Sequence, residues 1–332
     1  MWVNNPSSIE MEKAIEAGAV SCTTNPSYCS KLLQKEPDFI GKIIDRAVRE
    51  TDDDNAAAER VVHESTARVV DCFRQLYDQD STNCGFVTIQ DDPRRDTDPD
   101  AVINAAKRYK ELGPNFMIKI PVIAAGCEAI EAMVAENMPI CATEIFSIAQ
   151  AIHICELYDK ASKKYGNAPP FYVTHIAGIF DEHLSNVAEE EGIEIAPEVL
   201  KQAGCTVSRM EYRLLKERGY SGTMLGGGAR GLHHFTELVG GDLHVTINWS
   251  TAQEIIEADP PIEQRIDAEC SQEVIDELSD KFSDFRKAIE PDALPIEEFE
   301  DYGPVQCFRN MFLKGYQQLL DECASRRKAA SS

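Results

Sequence analysis

Short runs of β-branched and aromatic residues alternate with longer amphipathic stretches along most of the chain. Strands that alternate with helices favour a parallel sheet, and eight strands are the number that closes a (β/α)8 barrel. The pattern therefore predicts a TIM barrel. The eight candidate strands are Trp2–Asn4, Val20–Thr24, Gly85–Gln90, Phe116–Val122, Ile140–Phe146, Phe171–Ile179, Gly222–Leu225 and Leu243–Ile247.

Helical patterns separate most of these runs. We expect a single domain, with the barrel over about residues 1–258 and C-terminal helices over about 259–330 packed outside it. Extra helices are also expected after the second strand. The predicted helices up to strand six are Asp38–Glu50, Ala56–Gln75, Asp98–Leu112, Ala124–Glu136 and Ile148–Tyr165.

The charge composition disfavours some classes of binding partner. Of 332 residues, 33 are Lys or Arg and 57 are Asp or Glu, which gives a formal charge of −24. This acidic balance argues against a nucleic acid or an anionic membrane surface as partner. An anionic substrate would need a local basic spot.

The expected location is cytoplasmic. Met1–Pro6 has neither the basic nor the apolar segment of a signal peptide, and no apolar run approaches the roughly 20 residues of a spanning helix. The eleven cysteines form no CxxC pair and no Cys/His cluster at zinc spacing, so reduced thiols and no metal are expected.

Lys119 is the first candidate for chemistry, because it interrupts the apolar run Phe116–Val122. Burial disfavours the ammonium form and lowers the pKa of a lysine, which leaves neutral amine to attack a carbonyl and form a Schiff base. The alternative is a lysine that protects an exposed edge strand from aggregation.

Gly226–Gly231 matches the GxGxxG pattern after a strand. A dinucleotide fold is a weak interpretation, because the match comes at the seventh strand and the next strand ends in Asn248 rather than an acid. In a barrel, this loop is a common phosphate site, to which Arg230 would add a cation. A plain glycine-rich turn is the alternative.

Three histidine-containing features have structural alternatives. His175 is a candidate proton carrier, although a lone histidine in an apolar strand is often a core residue. His233-His234 is expected at the surface, at the start of a helix. Asp181-Glu182-His183 fits the first turn of a helix better than a metal site.

Four stretches together resemble the transaldolase family, which includes the fructose-6-phosphate aldolases. They follow one another in the order, and at the strands, where that family carries its signatures, and they extend over residues 2 to about 255. The stretches are Thr23–Ser27 (TTNPS), Ile118–Pro121 (IKIP), Thr143–Ala151 (TEIFSIAQA) and the loop from Leu225 to Arg230.

The resemblance implies a (β/α)8 barrel that moves a dihydroxyacetone unit from a ketose, or ketose phosphate, to an aldose without a cofactor. Lys119 would form the Schiff base, and Thr143 and Gln90 would orient the catalytic water. Sugar or sugar-phosphate substrate would contact the remaining positions, which are Thr24, Asn25, Thr174, Gly227, Gly228 and Arg230. A homo-oligomer stays open.

Three positions depart from the family pattern. Asn4 stands where the family has an Asp that takes the C4 hydroxyl proton, and an amide cannot accept and return a proton. His175, Glu144 and Asp91 are the local substitutes. Ile179 stands where the family has a phosphate-binding Arg, and the neighbouring Ile176 does not provide the Tyr of the aldolase branch.

Four functions follow in order of preference. The first is a transaldolase-type transferase that works through Lys119. The second is a fructose-6-phosphate aldolase-type lyase, which passes the three-carbon unit to a proton. The third is a non-catalytic sugar-binding barrel, although a binding protein has no reason to keep a desolvated lysine. The fourth, a nicotinamide oxidoreductase, depends only on Gly226–Gly231.

Overall fold

Eight parallel strands pair in chain order and close into a barrel within residues 1–330, which the computed structural model describes. Each predicted run overlaps one strand, although β7 extends two residues beyond its run, and the predicted (β/α)8 barrel is confirmed. The strands are β1 Trp2–Asn4, β2 Ser21–Thr23, β3 Val87–Ile89, β4 Phe116–Pro121, β5 Ile140–Ile145, β6 Phe171–Ile176, β7 Thr223–Gly227 and β8 His244–Ile247.

Helices follow the strands, and the extra helices after β2 and at the C-terminus are present as predicted. Helices α1 to α5 are Ser8–Glu16, Tyr28–Lys35, Pro37–Glu50, Asp54–Gln79 and Pro99–Tyr109. Helices α6 to α10 are Ala124–Ala135, Ile148–Tyr165, Ala177–Glu191, Pro197–Leu200 and Ala203–Arg218. Helices α11 to α15 are His233–Thr236, Trp249–Ala258, Gln272–Lys281, Ser283–Ile289 and Gly303–Ala330.

The sixth predicted strand is too long. The run Phe171–Ile179 was expected to be extended throughout, but β6 ends at Ile176 and α8 begins at Ala177. A continuous apolar run does not distinguish a buried strand from the buried start of a helix. Ile179 therefore lies in the first turn of α8, where it is 1% exposed.

The chain packs as two compact units. The first contains residues 1–119 and the chain from Arg309 onward, and the second contains residues 120–308. Local signals set many helix starts in both units. Ser7 and Glu10 form a capping box at α1, the Asp98 carboxylate accepts a hydrogen bond from the Ala101 amide, and Ser147 caps α7.

A bidentate ion pair connects helices in the first unit. Arg68 of α4 donates to both carboxylate oxygens of Glu36, at 2.8 and 3.1 Å, and its guanidinium lies 3.7 Å from the Phe39 ring centroid. Ser8 of α1 donates to the same carboxylate through its hydroxyl and its amide. Burial opposes ionisation, but the hydrogen bonds from Arg68 and Ser8 outweigh it and lower the pKa of Glu36.

We expect Glu36→Gln to reduce the free energy of unfolding by about 1 kcal/mol at pH 7. Because the pKa of Glu36 is lower in the folded than in the unfolded chain, its contribution is present above the ordinary value of 4.5 and is lost as pH falls through the folded value. Urea unfolding at pH 7 and at pH 3 checks this. An equal difference between wild type and Glu36→Gln at both pH values would contradict it.

Among residues 1–330, no helix combines the length and apolarity that crossing a membrane requires. All eleven cysteines are free thiols.

Candidate functional site

Lys119 lies in β4 of the first unit and is 6% exposed. Its Nζ is 5.5 Å from the centroid of the Phe312 ring, which α15 supplies. The long C-terminal helix therefore contributes to the surroundings of Lys119. Phe312 was not predicted from the sequence, because nearly 200 residues separate it from β4.

A small cavity beside Lys119 is lined by acidic residues of the first unit, namely Asp91, Asp92 and Asp96, together with Arg95, Ile118 and residues of α5. Desolvation disfavours a buried ammonium, whereas nearby carboxylates favour it. This acidic lining also disfavours an anionic group beside Lys119.

The three carboxylates have different partners. Asp92 binds the Arg94 guanidinium at 2.5 to 3.1 Å. Asp91 accepts a hydrogen bond from the Tyr109 hydroxyl at 2.8 Å and pairs with Arg108 at 3.2 Å, while burial raises the pKa of Asp91.

Asp96 is the carboxylate next to a predicted site residue. It is 4% exposed, and its Oδ2 accepts a hydrogen bond from Gln90 Nε2 at 3.3 Å. Gln90 follows β3 and is 2% exposed. Gln90 was predicted from the sequence, but Asp96, which lies six residues further along the loop into α5, was not.

Asn4 pairs in register with Thr23 across β1 and β2. Its Oδ1 accepts a hydrogen bond from the Thr23 hydroxyl at 3.0 Å. The Asn4 side chain therefore contacts the hydroxyl group of Thr23. At this position β1 carries an amide and not a carboxylate.

The TTNPS stretch mostly stabilises the chain after β2. Thr24 donates its hydroxyl to the Thr88 carbonyl at 2.8 Å. Asn25 accepts hydrogen bonds from the Asn5 side chain at 2.9 Å and the Ser27 amide at 3.0 Å, and its own amide donates to Asn5 Oδ1. Sequence reasoning missed Asn5, whose positive φ of 46° is a tolerated conformation for asparagine.

Thr143 and Glu144 lie at the end of β5 in the second unit. Thr143 is fully buried, and its Oγ1 has no hydrogen-bond partner within residues 1–330. Glu144 has a φ of +59°, and the register with β6 shifts between Ala142 and Ile145. A buried hydroxyl that lacks a partner costs free energy unless a ligand or water satisfies it.

Gln150 explains the spacing of the TEIFSIAQA stretch. Its Nε2 donates to the Val122 and Glu144 carbonyls, each at 3.0 Å, and its Oε1 accepts from the Phe146 amide at 3.0 Å. Gln150 therefore fixes the backbone that follows Thr143. The stretch was recognised from the sequence, but the role of Gln150 in holding the backbone was not predicted.

Thr174 and His175 are consecutive in β6, so their side chains face opposite sides of the sheet. His175 Nδ1 lies 2.8 Å from Glu211 Oε2 on α10, and both side chains are fully buried. Burial raises the pKa of Glu211. His175 therefore points to the helical layer, and Thr174 Oγ1 lies 3.2 Å from Cys141 Sγ on the other face.

Gly227 ends β7, and the loop that follows carries Gly228 and Arg230. Gly228 has a φ of +67°, and a Cβ there would lie 2.4 Å from Ile176 Cγ2. Arg230 is 43% exposed in its side chain and donates to Glu182 Oε2 at 2.5 Å. Gly226–Gly231 thus belongs to a closed barrel, which is not the open sheet that a dinucleotide fold requires.

We expect Gly178→Val to displace this loop and to lower Tm by about 5 °C, because a Cβ at Gly178 would lie 2.4 Å from the Gly228 carbonyl oxygen and 2.6 Å from the Arg230 amide nitrogen. Thermal unfolding followed by circular dichroism checks this. Ser185→Val, at an exposed position of the same helix, is the matched control and should leave Tm nearly unchanged. An unchanged Tm in Gly178→Val would contradict the expectation.

His233 and His234 were expected at the surface, and for His234 this is wrong. His234 is 3% exposed, and its Nε2 lies 2.9 Å from Asp181 Oδ2 of α8. Its partner Asp181 is 53 residues away along the chain, so local sequence does not reveal the pair.

Comparison with known proteins identifies a family. The family model described as Transaldolase/Fructose-6-phosphate aldolase matches residues 1–294. Curated proteins named transaldolase from Mycolicibacterium smegmatis and Mycobacterium ulcerans are 27% identical over 210 residues, which cover 60% of this chain and 55% of theirs. The transaldolase of Mycobacterium tuberculosis strain H37Rv shows the same identity and coverage.

The chain thus matches only about half the length of these curated relatives. A solved structure, the methanol:cobalamin methyltransferase complex MtaBC from Methanosarcina barkeri, covers 82% of this chain and 77% of its own, with a TM-score of 0.31 and 12% identity.

Proposed function

Because the chain belongs to the transaldolase/fructose-6-phosphate aldolase family, we propose that it moves a dihydroxyacetone unit from a ketose or ketose phosphate to an aldose through a Schiff base on Lys119. The observation that carries this is Lys119 itself, a 6%-exposed lysine in the fourth strand of a closed eight-stranded barrel. A structural protein gains nothing from such a residue, since burying an ammonium costs stability.

The reaction begins when the neutral amine of Lys119 attacks the ketose C2 carbonyl. Loss of water gives an iminium ion, which accepts the electron pair of the C3–C4 bond when a base removes the C4 hydroxyl proton. C4 leaves as an aldehyde, and the enamine on Lys119 adds to the carbonyl of the acceptor aldose. Hydrolysis of the second iminium ion returns the free amine.

Thr143 is the proposed ligand of the water that is released and consumed. Its buried Oγ1 without a partner among residues 1–330 is suited to hold a water molecule that leaves and returns during the cycle. Gln90 has the same proposed task in the first unit.

Asp96 is the proposed base that replaces the family Asp at Asn4. It lines the cavity beside Lys119 and bonds to Gln90. His175 is a weaker choice, because its ring is paired with Glu211 on the helical side of β6. Asp92 and Asp91 are engaged by guanidinium groups.

Sugar hydroxyls and the distal anionic group have proposed contacts as well. Asn25 and Thr174 would bind hydroxyls, and Arg230 with the backbone of Gly227 and Gly228 would bind the anion. Thr24 is the least suited of the predicted contacts, since its hydroxyl already donates to Thr88. Ile176 and Ile179, which lie under Gly228, add no charge to this subsite.

The lyase is the second candidate function. The same enamine would be protonated instead of adding to an aldose, so the two functions share Lys119 and differ in the acceptor. The acidic side chains near Lys119 favour this candidate, since a carboxylic acid can supply the proton that the enamine takes up. A sugar-binding barrel without chemistry is the third.

Borohydride reduction in the presence of a donor tests the proposal. The donors are fructose 6-phosphate, unphosphorylated fructose and dihydroxyacetone, and peptide mass spectrometry locates the adduct. We expect a reduced three-carbon adduct on Lys119, which the aldose acceptor removes if the protein is a transferase. If no donor gives an adduct but the protein binds sugar, the result would favour the sugar-binding barrel without chemistry.

A further inference from the structure

Three side chains with metal-binding atoms meet in the second unit, next to the loop that carries Arg230. Cys205 lies on α10, and His233 and His234 lie on α11. The thiol sulfur and one ring nitrogen from each histidine all lie within 4.8 Å of one another. Among the described residues, this is the only such group of three or more Cys, His or acidic side chains.

A carboxylate of α8 lies against the two histidines, beside the group of three. Asp181 Oδ2 lies 2.9 Å from His234 Nε2 and 3.7 Å from His233 Nε2, while its Oδ1 accepts a hydrogen bond from the Gly204 amide at 2.7 Å. That hydrogen bond fixes the carboxylate next to Cys205. His233 Nε2 is buried and has no hydrogen-bond partner within residues 1–330.

We propose that Cys205, His233 and His234 bind a zinc ion, with the Asp181 carboxylate beside the two imidazoles. Sulfur, nitrogen and carboxylate oxygen are the ligands that zinc takes in tetrahedral sites. With zinc–nitrogen bonds of about 2.0 to 2.1 Å, neighbouring ligand atoms are about 3.3 Å apart. The three ligand atoms already lie within 4.8 Å of one another, so small side-chain shifts bring them to that separation. A thiol and two imidazoles exclude calcium and magnesium, which prefer oxygen.

The site would act on the loop that carries Arg230. The Arg230 amide lies 3.4 Å from His234 Nδ1, and α11 begins three residues after Arg230. An ion held by α10 and α11, beside the Asp181 carboxylate of α8, therefore fixes the chain that follows the loop. The three protein ligands leave a fourth tetrahedral position, which water or the Asp181 carboxylate fills.

The ligand spacing explains why the sequence does not reveal this site. Cys205 and His233 are 28 residues apart, and the two histidines are adjacent, so no familiar zinc pattern appears. The three helices come together only because the barrel places α8, α10 and α11 side by side.

Cobalt binding tests the proposal. The purified chain is stripped with a chelator and titrated with CoCl2, and absorbance is followed in the near ultraviolet, for thiolate-to-cobalt charge transfer, and in the visible, for tetrahedral cobalt. We expect one cobalt ion per chain, both absorbance bands, and displacement of cobalt by zinc. Wild type that shows neither band would overturn the proposal.

Two variants and a control locate the ion. Cys205→Ser is expected to lose the charge-transfer band and to bind cobalt at least about 100-fold more weakly, and His233→Gln to weaken binding in the same way. His233 is one-third exposed, so His233→Gln keeps the fold and still tests the site if Cys205→Ser does not fold. Cys270→Ser, which replaces a half-buried thiol of the same unit, is expected to bind like wild type. Unchanged binding in His233→Gln would refute the assignment.

Discussion

Replacement of Lys119 by methionine is expected to abolish turnover, with kcat/KM for a ketose phosphate donor reduced at least about 10⁴-fold. Methionine has a similar length and no amine, so neither the carbinolamine nor the iminium ion can form. Without the iminium ion, cleavage of the C3–C4 bond has no acceptor for its electron pair. Steady-state assays with fructose 6-phosphate and an aldose phosphate acceptor measure the loss.

The fold is expected to survive this change. Lys119 is 6% exposed, so methionine removes a buried charge and keeps apolar contact with Phe312. We therefore expect Tm to be equal or higher, and donor binding without an adduct. Lys110→Met, at an exposed position, is the matched control and should keep full activity. Turnover by Lys119→Met would refute both the transferase and the lyase.

The barrel was predictable because each strand has its own local signal. β4 and β5 are fully buried along their lengths, and such strands appear as apolar runs rather than as alternating patterns. Capping residues such as Ser147 and Asp98 mark helix starts within the same few residues. These features depend on neighbours in the sequence, so no tertiary information is needed.

The errors lie where tertiary packing decides. Ile179 belongs to an apolar run that suits a strand, yet Gly178 packs against the Gly228 carbonyl and the helix has already begun. His234 is polar and adjacent to another histidine, which is typical of a surface, but Asp181 satisfies it in the interior. In both positions, the deciding partner is about 50 residues away.

The same difference between local sequence signals and tertiary contacts holds for the candidate site. Lys119 and Thr143 were accessible from the sequence because each belongs to a recognisable stretch at a strand end. Phe312, Asn5 and Asp96 were not, since they act through contacts with another element or from within a loop. Side-chain direction was also hidden for His175, because one residue of register decides which face of β6 it occupies.

Replacement of Asp96 by asparagine is expected to lower kcat about 10²- to 10³-fold. Asparagine retains an oxygen that can accept the hydrogen bond from Gln90 Nε2, so the local geometry is kept while the ability to take a proton is lost. Formation of the first iminium ion does not require removal of the C4 hydroxyl proton. Borohydride should therefore still trap the intact ketose on Lys119, now before C3–C4 cleavage.

The mass of the trapped adduct separates Asp96 from its neighbours. Wild type should yield the three-carbon adduct, and Asp96→Asn the six-carbon adduct, because its chemistry stops one step earlier. Asp91→Asn is the control: Asp91 lines the same cavity but is held by Tyr109 and Arg108, so less than about a tenfold change in kcat is expected. A three-carbon adduct in Asp96→Asn, at the wild-type rate, would assign proton removal to another group. His175 would then be tested next, and its pairing with Glu211 would have to break during the reaction.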